Sequence, residues 1–227
     1  MPAAQDLVAH PHAFIRHNLL LFAGPIEPGP AELQANGTVF VKLEDYTQYY
    51  QVSRVKNRKG IPKLINAIQG VTETKLTSFY VVTPAQPNDP NAIAIYVCPY
   101  RTNASLSTNL GTASNLMFTA EMTGCSFGVG QAAANGSVLV MHSNESQLAT
   151  PTSTAPQEQG QLQQLTNANA IRKTLQPGSY RMFDPANDID YRATTIGIRV
   201  GTKWEFWYQN FNHTTTNKDM VSVARIK

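Results

Sequence analysis

Cysteine is scarce in this chain: only Cys98 and Cys125 occur among 227 residues. Two thiols exclude a disulfide framework and a cysteine-rich zinc site. Apart from one possible Cys98–Cys125 pairing in an oxidising compartment, they suit a reducing one. Charge is scarce as well. Lys, Arg, Asp and Glu make up 15% of the residues, and the formal net charge is only +3. That excludes the dense basic stripe of a nucleic-acid binder. The single basic cluster, Arg54, Lys56, Arg58, Lys59 and Lys63, surrounds a Gly60-Ile61-Pro62 turn and reads as a solvated loop. Long hydrophobic runs are missing too, since no stretch approaches the roughly eighteen apolar residues of a membrane span. The opening segment, with Phe14-Ile15 and Leu19-Leu20-Leu21-Phe22-Ala23, carries three histidines and lacks the basic start of a signal peptide. His10, His12 and His17 have no acid or thiol at useful spacing, so no metal site is expected there. Without an export signal, the five Asn-x-Ser/Thr sequons at Asn36, Asn103, Asn135, Asn144 and Asn212 reflect composition rather than glycosylation.

What is present is material for a core. Hydrophobic residues make up 42% of the chain, enough for a single domain spanning 1–227. Period-two and β-rich runs predict strands at Thr38–Leu43, Gln48–Val55, Ser78–Val82, Ala92–Val97, Leu116–Met122, Cys125–Val129, Ser137–His142, Thr194–Val200, Lys203–Gln209 and Met220–Ile226. Val200-Gly201-Thr202-Lys203 reads as a tight hairpin turn. Helices are predicted at Gln5–Leu21 and Gln157–Leu175, with short ones near Pro30–Gln34 and Lys63–Ile68. The pattern predicts an α+β fold, a β-sandwich of two mainly antiparallel or mixed sheets with flanking helices.

The segment Phe118-Thr119-Ala120-Glu121-Met122-Thr123-Gly124-Cys125, with His142 seventeen residues after the cysteine, carries the chemistry. A thiol beside an imidazole can form a thiolate–imidazolium pair, which makes cysteine nucleophilic at neutral pH. A hairpin symmetric about Ala133-Ala134 places Cys125 across from His142. A turn at Asn135-Gly136 instead leaves them on one face but offset by four residues. A bulge at Gly128 or Gly130 is a third way to bring them together. Thr119, six residues before Cys125, shares its face if the strand is continuous, and its hydroxyl suits the orienting role of a third triad member. Gly124 suits an unusual backbone angle beside a substrate. Cys98, in the run Ile95-Tyr96-Val97-Cys98-Pro99, reads as core. Trp204, Phe206, Trp207 and Tyr208 read as sheet packing, with one face available to line a cleft.

Phe-Thr-x-x-Met-Thr-Gly-Cys followed by that histidine resembles the Thr/Cys/His site and the Leu-Ser-Gly-Cys signature of the glutamine deamidase toxins. That family includes the Burkholderia lethal factor, the catalytic domain of cytotoxic necrotizing factor and the bacterial chemoreceptor deamidase. The resemblance covers about a tenth of the chain. It departs from the signature in having Met122-Thr123 for Leu-Ser, and its Cys-to-His interval matches the chemoreceptor enzyme rather than the toxins. It implies a protein-glutamine deamidase with a β-sandwich fold, in which Cys125, His142 and Thr119 are catalytic. Gly124, Thr123 and Asn144 would stand near the substrate amide or oxyanion. It further implies a monomeric bacterial effector, without cofactor, acting on a host protein in the host cytoplasm. Two other readings stay open: a cysteine hydrolase or amidase of different specificity, and a β-rich binding protein with an inert Cys125.

Overall fold

Alternating side chains build two sheets that share an apolar interior. The computed structural model describes residues 2–23, 28–29, 33–47, 78–150, 153–168, 171–180, 183–184, 189–213 and 218–227. The expected strand Gln48–Val55, the helix Lys63–Ile68 and the basic cluster lie outside those residues, as does most of Pro30–Gln34. The larger sheet contains β1 (Asn18–Phe22), β2 (Val39–Asp45), β3 (Ser78–Pro84), β4 (Ile93–Cys98), β6 (Leu116–Thr119), β11 (Ile189–Val200), β12 (Lys203–His213) and β13 (Lys218–Arg225). Its order is β1-β3-β2-β4-β6-β11-β12-β13, and the short β10 (Phe183–Asp184) pairs with β11. The pairs β1–β3 and β4–β6 are parallel and the other pairs antiparallel. The smaller sheet has the order β5-β8-β7-β9, all antiparallel, from Ala104–Leu110, Val138–Asn144, Ser126–Ala132 and Ile171–Leu175. This is the sandwich-like α+β arrangement that the strand pattern predicts.

Strand alternation sorts the interior into two cores. On β4, Tyr96 and Cys98 join Met117, Phe127, Val140, Trp204 and Phe206 between the sheets. Ile95 and Val97 face the other way and join Leu116, Phe118, Ile196 and Ile198 under Leu7, Phe14 and Ile15 of the N-terminal helices. Those helices are α1 (Ala3–Ala9) and α2 (Pro11–His17). A third, α3 (Ala155–Asn167), buries Gln157, Gln161 and Leu165 and covers the outer face of the smaller sheet. A short α4 (Pro177–Tyr180) follows β9. Among the described residues no helix is long and apolar enough to cross a membrane.

Several expected elements are redrawn. Gln5–Leu21 is not one helix, because Pro11 opens a second helix and the Leu-rich run continues as β1 beside β3. A short apolar run gives no periodicity that separates helix from strand, and β1 is buried almost throughout, as a parallel strand is. Gln157–Leu175 is also divided: helix stops at Asn167, and Ile171–Leu175 pairs with β7. β5 was not anticipated, since its Ala-Ser-Leu-Ser-Thr-Asn-Leu sequence is too polar to announce a strand. The expected strand Leu116–Met122 ends at Thr119, leaving Met122 only an isolated bridge to Ala193. The turn at Gly201, at φ 60°, joins β11 to β12 with Val200 opposite Lys203, as expected.

The glycine at 128 lets α3 lie close on β7. A Cβ there would sit 2.7 Å from Leu165 Cδ2 and 3.1 Å from Ile171 Cγ2. Gly128→Ala is expected to lower stability by about 1–3 kcal/mol through overpacking, read as a lower urea midpoint with an unchanged slope.

Candidate functional site

The β7–β8 hairpin sets which side chains meet. Its loop is closed by Gly136 N–H donating to the Ala133 carbonyl at 2.9 Å and Ala133 N–H donating to that of Ser137 at 2.8 Å. Gly136 takes φ 80°, the left-handed position such a three-residue loop requires. Asn135 Oδ1 accepts from the Ser137 N–H and hydroxyl. A bulge between Val129 and Ala132 then shifts the pairing. The result is neither register considered from sequence. Phe127 lies opposite His142 and Ser126 opposite Ser143, which puts Cys125 level with Asn144 and two residues from His142 on the same face.

That face looks into the space between the sheets, where Cys125 packs with Phe127, Met122 and Tyr180. The Cys125 sulfur accepts from Asn144 Nδ2 at 3.2 Å. Asn144 Oδ1 in turn accepts the N–H groups of Asn103 at 3.1 Å and Ser146 at 3.2 Å. With its oxygen held by two donors, the carboxamide presents its NH2 group to the sulfur. The same nitrogen lies 3.5 Å from Tyr100 Oη. The Tyr100 ring, half-buried, stands 5.0 Å from the His142 ring, centroid to centroid. Cys125 and His142 are each 1% exposed and Asn144 6%. Among the described residues neither imidazole nitrogen has a hydrogen-bond partner, so sulfur and imidazole do not form a bonded dyad. Burial pulls the His142 pKa down to about 4. The ring is therefore neutral at neutral pH, the form that accepts a proton.

Thr119 occupies the end of β6 in the other sheet, level with Cys98. Its hydroxyl donates to the Ala120 carbonyl at 2.9 Å and accepts from Thr195 N–H at 3.3 Å. It therefore shares no strand with Cys125, because the chain leaves the larger sheet between them. Thr123, exposed, lies on that crossing, and Gly124 completes it at φ 149°. Here three distant side chains take hold of the backbone. Gly124 N–H donates to Tyr180 Oη at 3.2 Å, and that hydroxyl donates to the Cys125 carbonyl at 2.7 Å. The Gly124 carbonyl accepts from Gln161 Nε2 at 2.8 Å and Gln157 Nε2 at 3.2 Å. The Gly124 amide is thus engaged by Tyr180. The i, i+4 spacing of Gln157 and Gln161 within the predicted helix is the signal that could have found them, whereas nothing in the sequence ties Tyr100, Asn103 or Tyr180 to the site.

The remaining polar groups fall elsewhere. Cys98 is fully buried, and desolvation pushes its thiol pKa strongly up, so it is an inert core residue. His12 pairs with Glu205 at 2.9 Å on the outer face and stacks edge-on against Trp207. Among the described residues no three His, Cys, Asp or Glu side chains come together as a metal site would require.

Two outcomes follow from these contacts. Tyr180→Phe removes a hydroxyl that serves two backbone groups, and is expected to cost about 1–3 kcal/mol in urea unfolding. The buried imidazole makes stability fall with acid, because the unfolded ring binds a proton near pH 6.5 while the native ring resists it down to about 4. Stability is complete above pH 6.5 and is lost progressively toward pH 4. Between about pH 7.5 and pH 5 this group contributes a loss of about 2 kcal/mol, which His142→Gln should abolish.

No protein-family model matches the chain, and no curated protein does. Among solved structures, the C-terminal domain of CNFy from Yersinia pseudotuberculosis is similar over 59% of this chain, at 10% sequence identity and a TM-score of 0.31. The match spans 61% of that domain's own length.

Proposed function

We propose that this protein is a cysteine-dependent amidase, a protein-glutamine deamidase of the toxin or effector kind, built as one catalytic domain over 1–227 and acting on a protein of a host cell. The observation that carries the reading is the contact between the Cys125 sulfur and a primary carboxamide, that of Asn144, at 3.2 Å. The surroundings of the sulfur are not purely apolar, since a carboxamide, the functional group that a glutamine side chain also presents, reaches it. A neutral imidazole on the same face supports it, since His142 is in the form able to take the thiol proton.

In this mechanism the His142 ring turns from Tyr100 toward Cys125 and receives the thiol proton. The thiolate attacks the carboxamide carbon of a target glutamine, forming a carbon–sulfur bond and a tetrahedral oxyanion. As the carbon–nitrogen bond breaks, protonated His142 gives its proton to the departing nitrogen, which leaves as ammonia. Water, deprotonated by the same ring, then displaces the sulfur and leaves a glutamate side chain and a free thiol. The Thr119 hydroxyl, occupied by Ala120 and Thr195, acts by fixing the end of β6 and does not bond the imidazole.

One observation favours a different reading. Cys125 is 1% exposed and packs with Met122 and Phe127, as an inert core cysteine in a β-rich binding protein would. Incubation of the protein with host-cell lysate separates the readings, with ammonia release and Gln-to-Glu mass increases in lysate proteins as readouts. The deamidase is expected to produce both. Cys125→Ser should abolish them, His142→Ala should reduce them about 10²–10⁴-fold and Thr119→Ala should reduce them less. Peptide cleavage without ammonia would assign a different cysteine hydrolase. Equal activity in the Cys125→Ser protein would remove the mechanism.

A further inference from the structure

We infer that Asn144 is a catalytic residue whose carboxamide N–H stabilises the ionised sulfur of Cys125, and that Asn103 is the positioning residue that aims it. The assignment rests on Cys125 being the nucleophile proposed above, and it names the group that stabilises the thiolate once the proton has left. A neutral thiol sulfur is a weak acceptor, whereas a thiolate turns the same N–H contact into a charge-assisted bond. A donor held at the sulfur therefore favours ionisation. Asn144 is such a donor. Turning its carboxamide over would break the bonds from Asn103 N–H and Ser146 N–H and present an oxygen to the sulfur.

Asn103 does more than supply one of those donors. It sits at φ 58°, the left-handed region that Asn tolerates better than most residues. From there its Oδ1 accepts from Ser146 Oγ at 2.6 Å and Gln147 N–H at 2.9 Å. One residue thus grips both Asn144 and the 3-10 turn Ser146–Leu148 that follows it. His142 does not fill the donor role, because among the described residues neither of its nitrogens has a hydrogen-bond partner. Among the described residues two tyrosines also touch Asn144 and the Cys125 backbone. Tyr100 bonds the Asn144 nitrogen, and Tyr180, from α4, bonds the carbonyl of Cys125. Glu145 bonds Ser105 and Gln147 on the opposite face of the sheet.

The test is an infrared titration of the S–H stretch in the intact protein, which reads protonation at a buried sulfur without a reagent. Cys98 stays protonated, so the titrating part of the band belongs to Cys125, and its absence in Cys125→Ser checks this. Asn144→Ala is expected to raise the midpoint by about one unit. Asn144→Asp, which keeps the shape and both accepted N–H bonds, should raise it further by placing a carboxylate at the sulfur. Asn103→Gly, which keeps the positive φ, should stay nearer the parent than Asn103→Val, for which that φ is strained. His142→Ala should leave the midpoint in place. An unmoved midpoint in both Asn144 variants, or a His142→Ala shift as large as theirs, would overturn the assignment. Midpoint shifts without any ammonia release would uphold Asn144 as the donor while removing the deamidase reading, so the two fail separately.

Discussion

The tie between Gly124-Cys125 and the Tyr180 hydroxyl holds the site together. At this point the chain leaves β6 and crosses to β7, a change of sheet that exposes backbone groups to a largely apolar interior. An unpaired peptide group in such a place is costly, and here the N–H of Gly124, its carbonyl and the carbonyl of Cys125 are all satisfied by side chains. Satisfying them fixes where Cβ of Cys125 points. Helix α3 contributes Gln157 and Gln161 from one face, and Gln161 also accepts from the Ser126 hydroxyl at 2.7 Å. The crossing is therefore braced from both sides of the smaller sheet.

From that fixed point the bulged hairpin decides the company the sulfur keeps. Without the extra residue between Val129 and Ala132, the pairing would move by one place and turn His142 and Asn144 away from Cys125. With it, sulfur, carboxamide and imidazole share one face, and Tyr100 reaches over them from the segment after β4. The electrostatic character of the group follows from burial. A ring that stays neutral and a carboxamide clamped by its oxygen bring directed N–H groups to the sulfur without adding charge of their own to desolvate.

Much of this architecture is legible in the residue pattern. The alternation Ile95-Tyr96-Val97-Cys98 shows a strand shared by two cores, and Gly201 between aromatic and β-branched runs shows a hairpin. The sheet-rich fold follows from such segments. What does not follow has physical reasons. The Leu19–Phe22 and Ile171–Leu175 runs are too short to display a period, so only their neighbours, β3 and β7, decide that they are strands. The Cys125–Asn144 alignment depends on a bulge at Gly130-Gln131, where the glycine signals that a bulge can form but not which register it sets. Asn103 and Tyr180 lie 41 residues before Asn144 and 55 after Cys125, and only the fold brings them to it.

The way these pieces are spread along the chain bears on when the centre comes into being. The β7–β8 hairpin is local and can close early, yet Cys125 is held by Gln157, Gln161 and Tyr180, and Asn144 by Asn103. The central strand β6 waits for β11, some eighty residues further on, to close its second side. A nascent or threading chain thus carries its thiol in an unfinished setting until the segment through Tyr180 has arrived. Maturation of the sulfur's surroundings is a late event, coupled to completion of the sandwich rather than to formation of the hairpin that bears it.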